Sequence, residues 1–135
     1  IITTASKRKF GQDENDWKFL SPQVPERLEK LVNEDCYLLI IFSNQLGVGL
    51  DSTGKRLNIF KKKIEQIFKK LPKCIFFAAL GEDEFRKPLM GMWDFFCSNY
   101  LKSSENINYE ESFYVGDAAG RPNGWKMGRN RDHAD

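Results

Sequence analysis

Two kinds of apolar spacing alternate along this chain, and their alternation predicts its architecture. Leu28, Leu31 and Val32 recur at helical spacing behind Pro25, a residue suited to the first position of a helix, and Glu26 stands in the first turn. Residues 36–42 are an unbroken apolar run rich in Leu and Ile, as in a strand covered on both faces. A glycine-bearing loop is expected over 47–54. Beyond it Leu57, Phe60, Ile64, Ile67, Phe68 and Leu71 return at helical spacing with lysines and Arg56 between them, as far as Pro72. Residues 74–80 predict a second strand and 81–87 a charged loop. Pro88 again suits a helix start, with Met92, Trp93, Phe96 and Tyr100 on the buried side, and 113–116 predict a third strand ending at Asp117.

Strands separated by helices of this length imply right-handed crossovers and a parallel α/β sheet with helices on both faces. A chain of 135 residues with 41% apolar content can bury one core, so a single domain over 1–135 is expected. The stretch 103–111 is a polar connection. Residues 116–135, rich in Gly, Asn, Arg and Lys, have no core pattern and are expected to be a surface loop or a frayed end.

Charge and cysteine usage narrow the function classes. The formal charge of +2 arises from 21 basic and 19 acidic residues, a near balance that does not by itself indicate a polyanion-binding protein. The lysines at Lys61, Lys62, Lys63, Lys69 and Lys70 fall on the polar face of the expected helix and read as a solvated face. Cys36, Cys74 and Cys97 are far apart, odd in number and flanked by apolar or aromatic residues, so they are expected to be reduced core thiols of an intracellular protein. Metal-ligand spacing is absent around them and around His133, which argues against structural zinc. No apolar stretch approaches the ~20 residues that cross a bilayer, and no membrane association is expected.

Candidate chemistry lies where the apolar runs stop. F-S-N-Q at 42–45, F-R-K-P-L-M-G-M at 85–92 and V-G-D-A-A-G-R at 115–121 bring a hydroxyl, an ammonium and a carboxylate to strand or loop ends. In an open parallel sheet such ends converge on one crevice, where these groups suit a phosphate and a metal. Taken singly, each has a plainer reading: Ser43 as a turn or cap residue, Lys87 as a solvated charge, Asp117 as a turn residue. Their order and spacing favour the shared site.

S-N-Q after an apolar run, then R-K-P-x-x-G-M-W, then V-G-D-A-A-G-R-P resemble the second, third and fourth motifs of the haloacid dehalogenase superfamily. More narrowly they are similar to the phosphatase domain of the polynucleotide kinase 3′-phosphatases, as is D-W-K-F-L-S-P-Q-V-P at 16–25. The resemblance implies a three-layer αβα sandwich with a parallel, Rossmann-like sheet of the haloacid dehalogenase type. Ile1 and Ile2 resemble the aliphatic pair that follows the family's first motif, D-x-D-G-T. On that reading the natural polypeptide extends at both ends, the nucleophile and general acid precede Ile1, and residues 1–135 alone would be insoluble or swapped. The complete form is expected to be a monomer.

The resemblance also implies roles. An aspartate would attack phosphorus and the aspartyl-phosphate would be hydrolysed by water. Ser43 would donate to a phosphoryl oxygen, with the backbone N–H of Asn44 nearby. Lys87 would screen nucleophile and phosphate. Asp117 would bind Mg²⁺, a hard ion that prefers oxygen ligands. Arg121 stands four residues after Asp117, where the commoner superfamily pattern has an acid; it would contact a phosphate or pair with a neighbouring acid, the latter slightly favoured. For DNA, Phe85 and Arg86 in the charged loop, with Trp125, Lys126, Arg129 and Arg131, offer cations and a ring for a terminal base. The implied function is a Mg²⁺-dependent DNA 3′-phosphatase of nuclear strand-break repair, acting on 3′-phosphate ends, with DNA-repair scaffold proteins as implied partners. Two alternatives stay open: a small-molecule phosphatase of the same superfamily, acting on histidinol or sugar phosphates, and a non-catalytic module that binds DNA ends. No G-x-x-x-x-G-K-[ST] kinase motif occurs in these residues.

Overall fold

The computed structural model describes residues 1–8, 11–102 and 107–116, which gather into two compact units, Ile1–Met92 and the residues from Trp93 onward. Asp117, Arg121, Trp125, Lys126, Arg129, Arg131 and His133 lie outside the described residues.

The first unit is a small mixed α/β body. Strand β1 (Ile2–Thr3) pairs antiparallel with β2 (Lys18–Phe19), and helix α1 (Val24–Asn33) follows with Pro25 in its first turn. Strand β3 (Leu39–Asn44) runs parallel to β4 (Cys74–Ala79), in register from Leu39 opposite Cys74 to Asn44 opposite Ala79. Parallel neighbours need a crossover, and α2 (Leu46–Gly49) with α3 (Lys55–Phe68) supplies it. Side chains alternate across the strands, so Phe76 and Phe77 serve opposite faces. Phe76 meets Phe60 and Phe68 of α3 at 6.0 and 5.9 Å between ring centroids. Phe77 stacks on Phe42 at 5.6 Å. The buried apolar residues of this unit are Ile67, Ala79 and Met92.

Several boundaries depart from the expectations. The first parallel strand begins at Leu39 rather than at 36 and ends at Asn44 rather than at 42, so Ser43 and Asn44 are its last two residues. Cys36 is exposed, with φ 58°, in the turn after α1, where the Tyr37 N–H donates to Leu31 O at 2.8 Å; it is not a core thiol. Cys74 and Cys97 are half-buried, and burial pushes the Cys74 thiol above its ordinary pKa. The short α2 reaches into the loop expected over 47–54, because the N–H groups of Val48 and Leu50 bond to the carbonyls of Gln45 and Leu46. Pro88 does not start a helix: the Gly91 N–H donates to Glu84 O at 3.0 Å, closing a loop, and α4 (Gly91–Tyr100) begins only there.

Lys61, Lys62, Lys69 and Lys70 are exposed, as a solvated face requires, and only Lys63 is half-buried, yet three of the five lysines reach the N-terminal segment. Lys62 pairs with Glu14 at 3.7 Å, Lys63 Nζ donates to Asp16 O at 3.4 Å, and Lys70 Nζ lies 5.3 Å from the Trp17 ring centroid. Gln66 completes the contact, accepting from the Trp17 indole N–H and donating to Asn15, both at 3.0 Å. Lys62, Lys63, Gln66 and Lys70 thus line the segment that leads into β2.

In the second unit Phe96 is fully buried and Trp93 half-buried, while Tyr100 is 53% exposed. Trp93 meets Phe96 at 5.6 Å and Tyr109 at 6.4 Å, and Phe96 stacks on Tyr100 at 6.2 Å. The strand expected at 113–116 does not form: Phe113, Tyr114 and Val115 are exposed, Val115 by 82%, and make no strand ladder among the described residues. Aromatic and β-branched residues favour strands only where a pleated, half-covered surface receives them. The described parallel sheet therefore has two strands. No helix among the described residues is long and apolar enough to cross a membrane.

Candidate phosphate site at the carboxyl end of the parallel strands

The carboxyl end of β3 carries Ser43 and Asn44, and Gln45 follows. The Gln45 N–H donates to Ala79 O at 2.7 Å, extending the contact with β4 one residue beyond the strand. Its carbonyl accepts from the Val48 N–H at 2.9 Å, which starts α2. With both backbone groups held, the Gln45 side chain turns back and Nε2 donates to Ser43 Oγ at 2.8 Å. A serine hydroxyl has one proton to donate and two lone pairs, so this bond leaves its O–H available.

After β4 the chain makes the loop that contains Phe85, Arg86 and Lys87. Asp83 shapes it: Oδ1 accepts from the Phe85 N–H at 3.1 Å and the carbonyl from the Arg86 N–H at 3.0 Å. Lys87 is then fastened to β3. Asn44 Nδ2 donates to Lys87 O at 3.0 Å, and the Lys87 N–H donates to Asn44 Oδ1 at 2.9 Å. This pair allows only one orientation of the carboxamide, because the reverse would set donor against donor and acceptor against acceptor. Lys87 Nζ returns to the same strand and donates to Phe42 O at 2.9 Å. An ammonium has three protons, so one such bond anchors it and leaves two for a ligand.

Close backbone approach sets this geometry. A Cβ on Gly49 would run into the Leu80 backbone just beyond β4, and one on Gly91 into the backbone of Glu84 and Phe85. Asp51 ties α2 to α3, accepting from the Thr53 N–H and hydroxyl and from the Arg56 N–H, and these bonds, the Thr53 hydroxyl first, hold its carboxyl below the usual range. Arg56 Nη1 donates to Gly47 O at 3.0 Å.

Of the candidate residues, Asn44 clasps Lys87 and Ser43 precedes Asn44 at the end of β3, while Phe85 and Arg86, both half-buried, stand in the loop that presents Lys87. Asn44 contributes a side-chain clasp where only a backbone N–H was expected to matter. Gln45 was not among the candidates, although its place two residues after Ser43, on the same face of an extended chain, was readable in S-N-Q. Among the described residues no group of three His, Cys, Asp or Glu side chains stands ready to hold a metal ion. Asp117, the expected ligand, lies outside them.

The family model of polynucleotide kinase 3 phosphatase matches residues 1–135. The chain belongs to this family. Among its relatives, a bifunctional polynucleotide phosphatase/kinase of Schizosaccharomyces pombe is 41% identical over 123 residues, covering 90% of this chain and 29% of the relative. A 20.8 kDa protein of Autographa californica nuclear polyhedrosis virus is 36% identical over 125 residues, covering 91% and 63%. A polynucleotide 3′-phosphatase of Arabidopsis thaliana is 33% identical over 132 residues, covering 88% and 18%. The chain thus spans less than two thirds of the length of each of these relatives. The family match agrees with the resemblance carried by the three motifs.

Proposed function

We propose that this chain is the phosphate-binding part of a polynucleotide 3′-phosphatase that hydrolyses 3′-phosphate termini of DNA, as expected of a strand-break repair enzyme. The observation that carries the reading is the delivery of Lys87 Nζ and Ser43 to the end of one strand, by two bonds from Asn44 and one from Gln45. Family membership and relatives named for phosphatase action on polynucleotides support it.

In this reading Lys87 neutralises phosphoryl charge with a cation whose position is fixed before substrate arrives, and Ser43 donates to a phosphoryl oxygen. Preorganised donors lower the barrier because no reorganisation is needed as charge moves in the transition state. The route we propose is displacement at phosphorus by an aspartate, which breaks the bond to the 3′ oxygen as that oxygen takes a proton, followed by attack of water on the aspartyl-phosphate, which releases inorganic phosphate and restores the carboxylate. Mg²⁺ is the proposed cofactor, with Asp117 as its expected ligand, and it would supply charge neutralisation on the transferring group. Arg86 and Phe85, in the same loop as Lys87, would serve the nucleotide that bears the phosphate. We also take the αβα sandwich of the haloacid dehalogenase type as the architecture of the complete domain.

The test is a comparison of substrates in the full-length protein. Turnover of a 3′-phosphorylated DNA oligonucleotide should exceed that of the 5′-phosphorylated strand and of histidinol and sugar phosphates. A preference for the small phosphates would reverse the assignment.

A further inference from the structure

We propose that Gln45 is a positioning residue that aims the Ser43 hydroxyl at the phosphoryl group, an inference that rests on the phosphate role given to Ser43 above. Gln45 Nε2 donates to Ser43 Oγ at 2.8 Å, and no described group accepts a hydrogen bond from that oxygen. The amide occupies one lone pair, so the hydroxyl proton turns away from Gln45. The opposite arrangement, with an acceptor facing Ser43, would draw the proton inward and remove it from the ligand.

The donor is held firmly. Its backbone N–H and carbonyl are both engaged, to Ala79 O at 2.7 Å and from the Val48 N–H at 2.9 Å. Gln45 therefore joins the end of the β3–β4 pair to the start of α2, and this fixes the backbone from which its half-buried side chain reaches Ser43. A shift of Ser43 by a fraction of an ångström is what such a brace prevents, and positioning errors of that size matter to transition-state contacts.

Three substitutions in the full-length protein, assayed for kcat and KM on a 3′-phosphorylated DNA oligonucleotide, test this. Gln45→Met keeps the shape and removes the donor; kcat should fall about tenfold, the worth of one directed hydrogen bond. In a Ser43→Ala background the same change should add less than about twofold, because the two residues act as one unit. Gln45→Glu should cost more than Gln45→Met at neutral pH, since a carboxylate only accepts. Its activity relative to wild type should recover as pH falls through the glutamate range, where a protonated acid can donate again. A Gln45→Met enzyme with the wild-type rate, or one whose loss persists undiminished in the Ser43→Ala background, overturns the proposal while the phosphate role of Ser43 stands. A Ser43→Ala enzyme with the wild-type rate removes that role, and the proposal with it.

Discussion

Asn44 and Lys87 are joined by two hydrogen bonds between the carboxamide of one and the peptide group of the other, at 3.0 and 2.9 Å. The contact spans 43 residues of sequence and lets a strand end fix the position of a loop. Because Lys87 Nζ also bonds to Phe42 O, backbone and ammonium are referred to the same strand. A flexible lysine becomes a placed charge by this means.

Removing that clasp should separate stability from activity in a particular way. Asn44→Ala deletes both bonds and should destabilise the protein by about 1–3 kcal/mol, while kcat for phosphate release falls at least about tenfold. Asn44→Asp keeps the acceptor for the Lys87 N–H but sets a carboxylate oxygen against Lys87 O, and should be no better than alanine. Thermal denaturation and single-turnover kinetics on the pair of variants check this; an Asn44→Asp enzyme of wild-type rate would show that the clasp is dispensable.

The loop that bears Lys87 closes on Gly91, whose N–H donates to Glu84 O. A Cβ there would run into the Glu84 carbonyl, standing 2.7 Å from its carbon, closer than real Cβ atoms come, and would lie tight against the Phe85 nitrogen at 3.0 Å. Gly91→Ala should therefore cost about 1–3 kcal/mol of stability by overpacking. It should also lower activity beyond the loss of folded protein, because Lys87 moves with the loop. Activity per folded molecule, from denaturation and rate data together, is the readout.

Acid should act on the N-terminal segment. Asp16 is buried, and its carboxylate accepts from the Ser6 hydroxyl at 2.7 Å, the Ser6 N–H at 2.8 Å and the Gln12 N–H at 3.0 Å. These bonds, the Ser6 hydroxyl first, lower its pKa from 3.8 to about 2. The unfolded chain then binds more protons than the folded one between those values, so stability rises with pH across that window and is lost as pH falls through it. Asp16→Asn should be less stable at neutral pH, since an amide nitrogen cannot accept the third bond. Its melting temperature should lack the component of acid sensitivity that wild type shows between pH 4 and about 2.

Strands and long helices were legible because burial imposes a period on their sequence. The run 74–80 and the spacing from Leu57 to Phe68 became β4 and α3 with shifts of a residue or two. Charge alone did not reveal what Lys62, Lys63 and Lys70 do, because their partners Glu14, Asp16 and Trp17 lie more than forty residues earlier. The short α2 was hidden among loop-forming glycines, and the run at 113–116 has strand propensity but joins no strand ladder among the described residues. Ser43 and Lys87 could be named from motifs, whereas the side-chain clasp of Asn44 and the brace from Gln45 depend on geometry that residue types do not carry.

The central claim is that the ammonium of Lys87, held at the end of β3, binds the phosphate that is removed. It is tested most directly by phosphate release from a 3′-phosphorylated DNA oligonucleotide by the full-length protein, with and without Mg²⁺, comparing wild type with Lys87→Ala. The account predicts metal-dependent release that falls at least about a hundredfold in the variant, the usual scale for losing a charge that stabilises a transition state. Equal rates in the two proteins, with the variant folded, would contradict it.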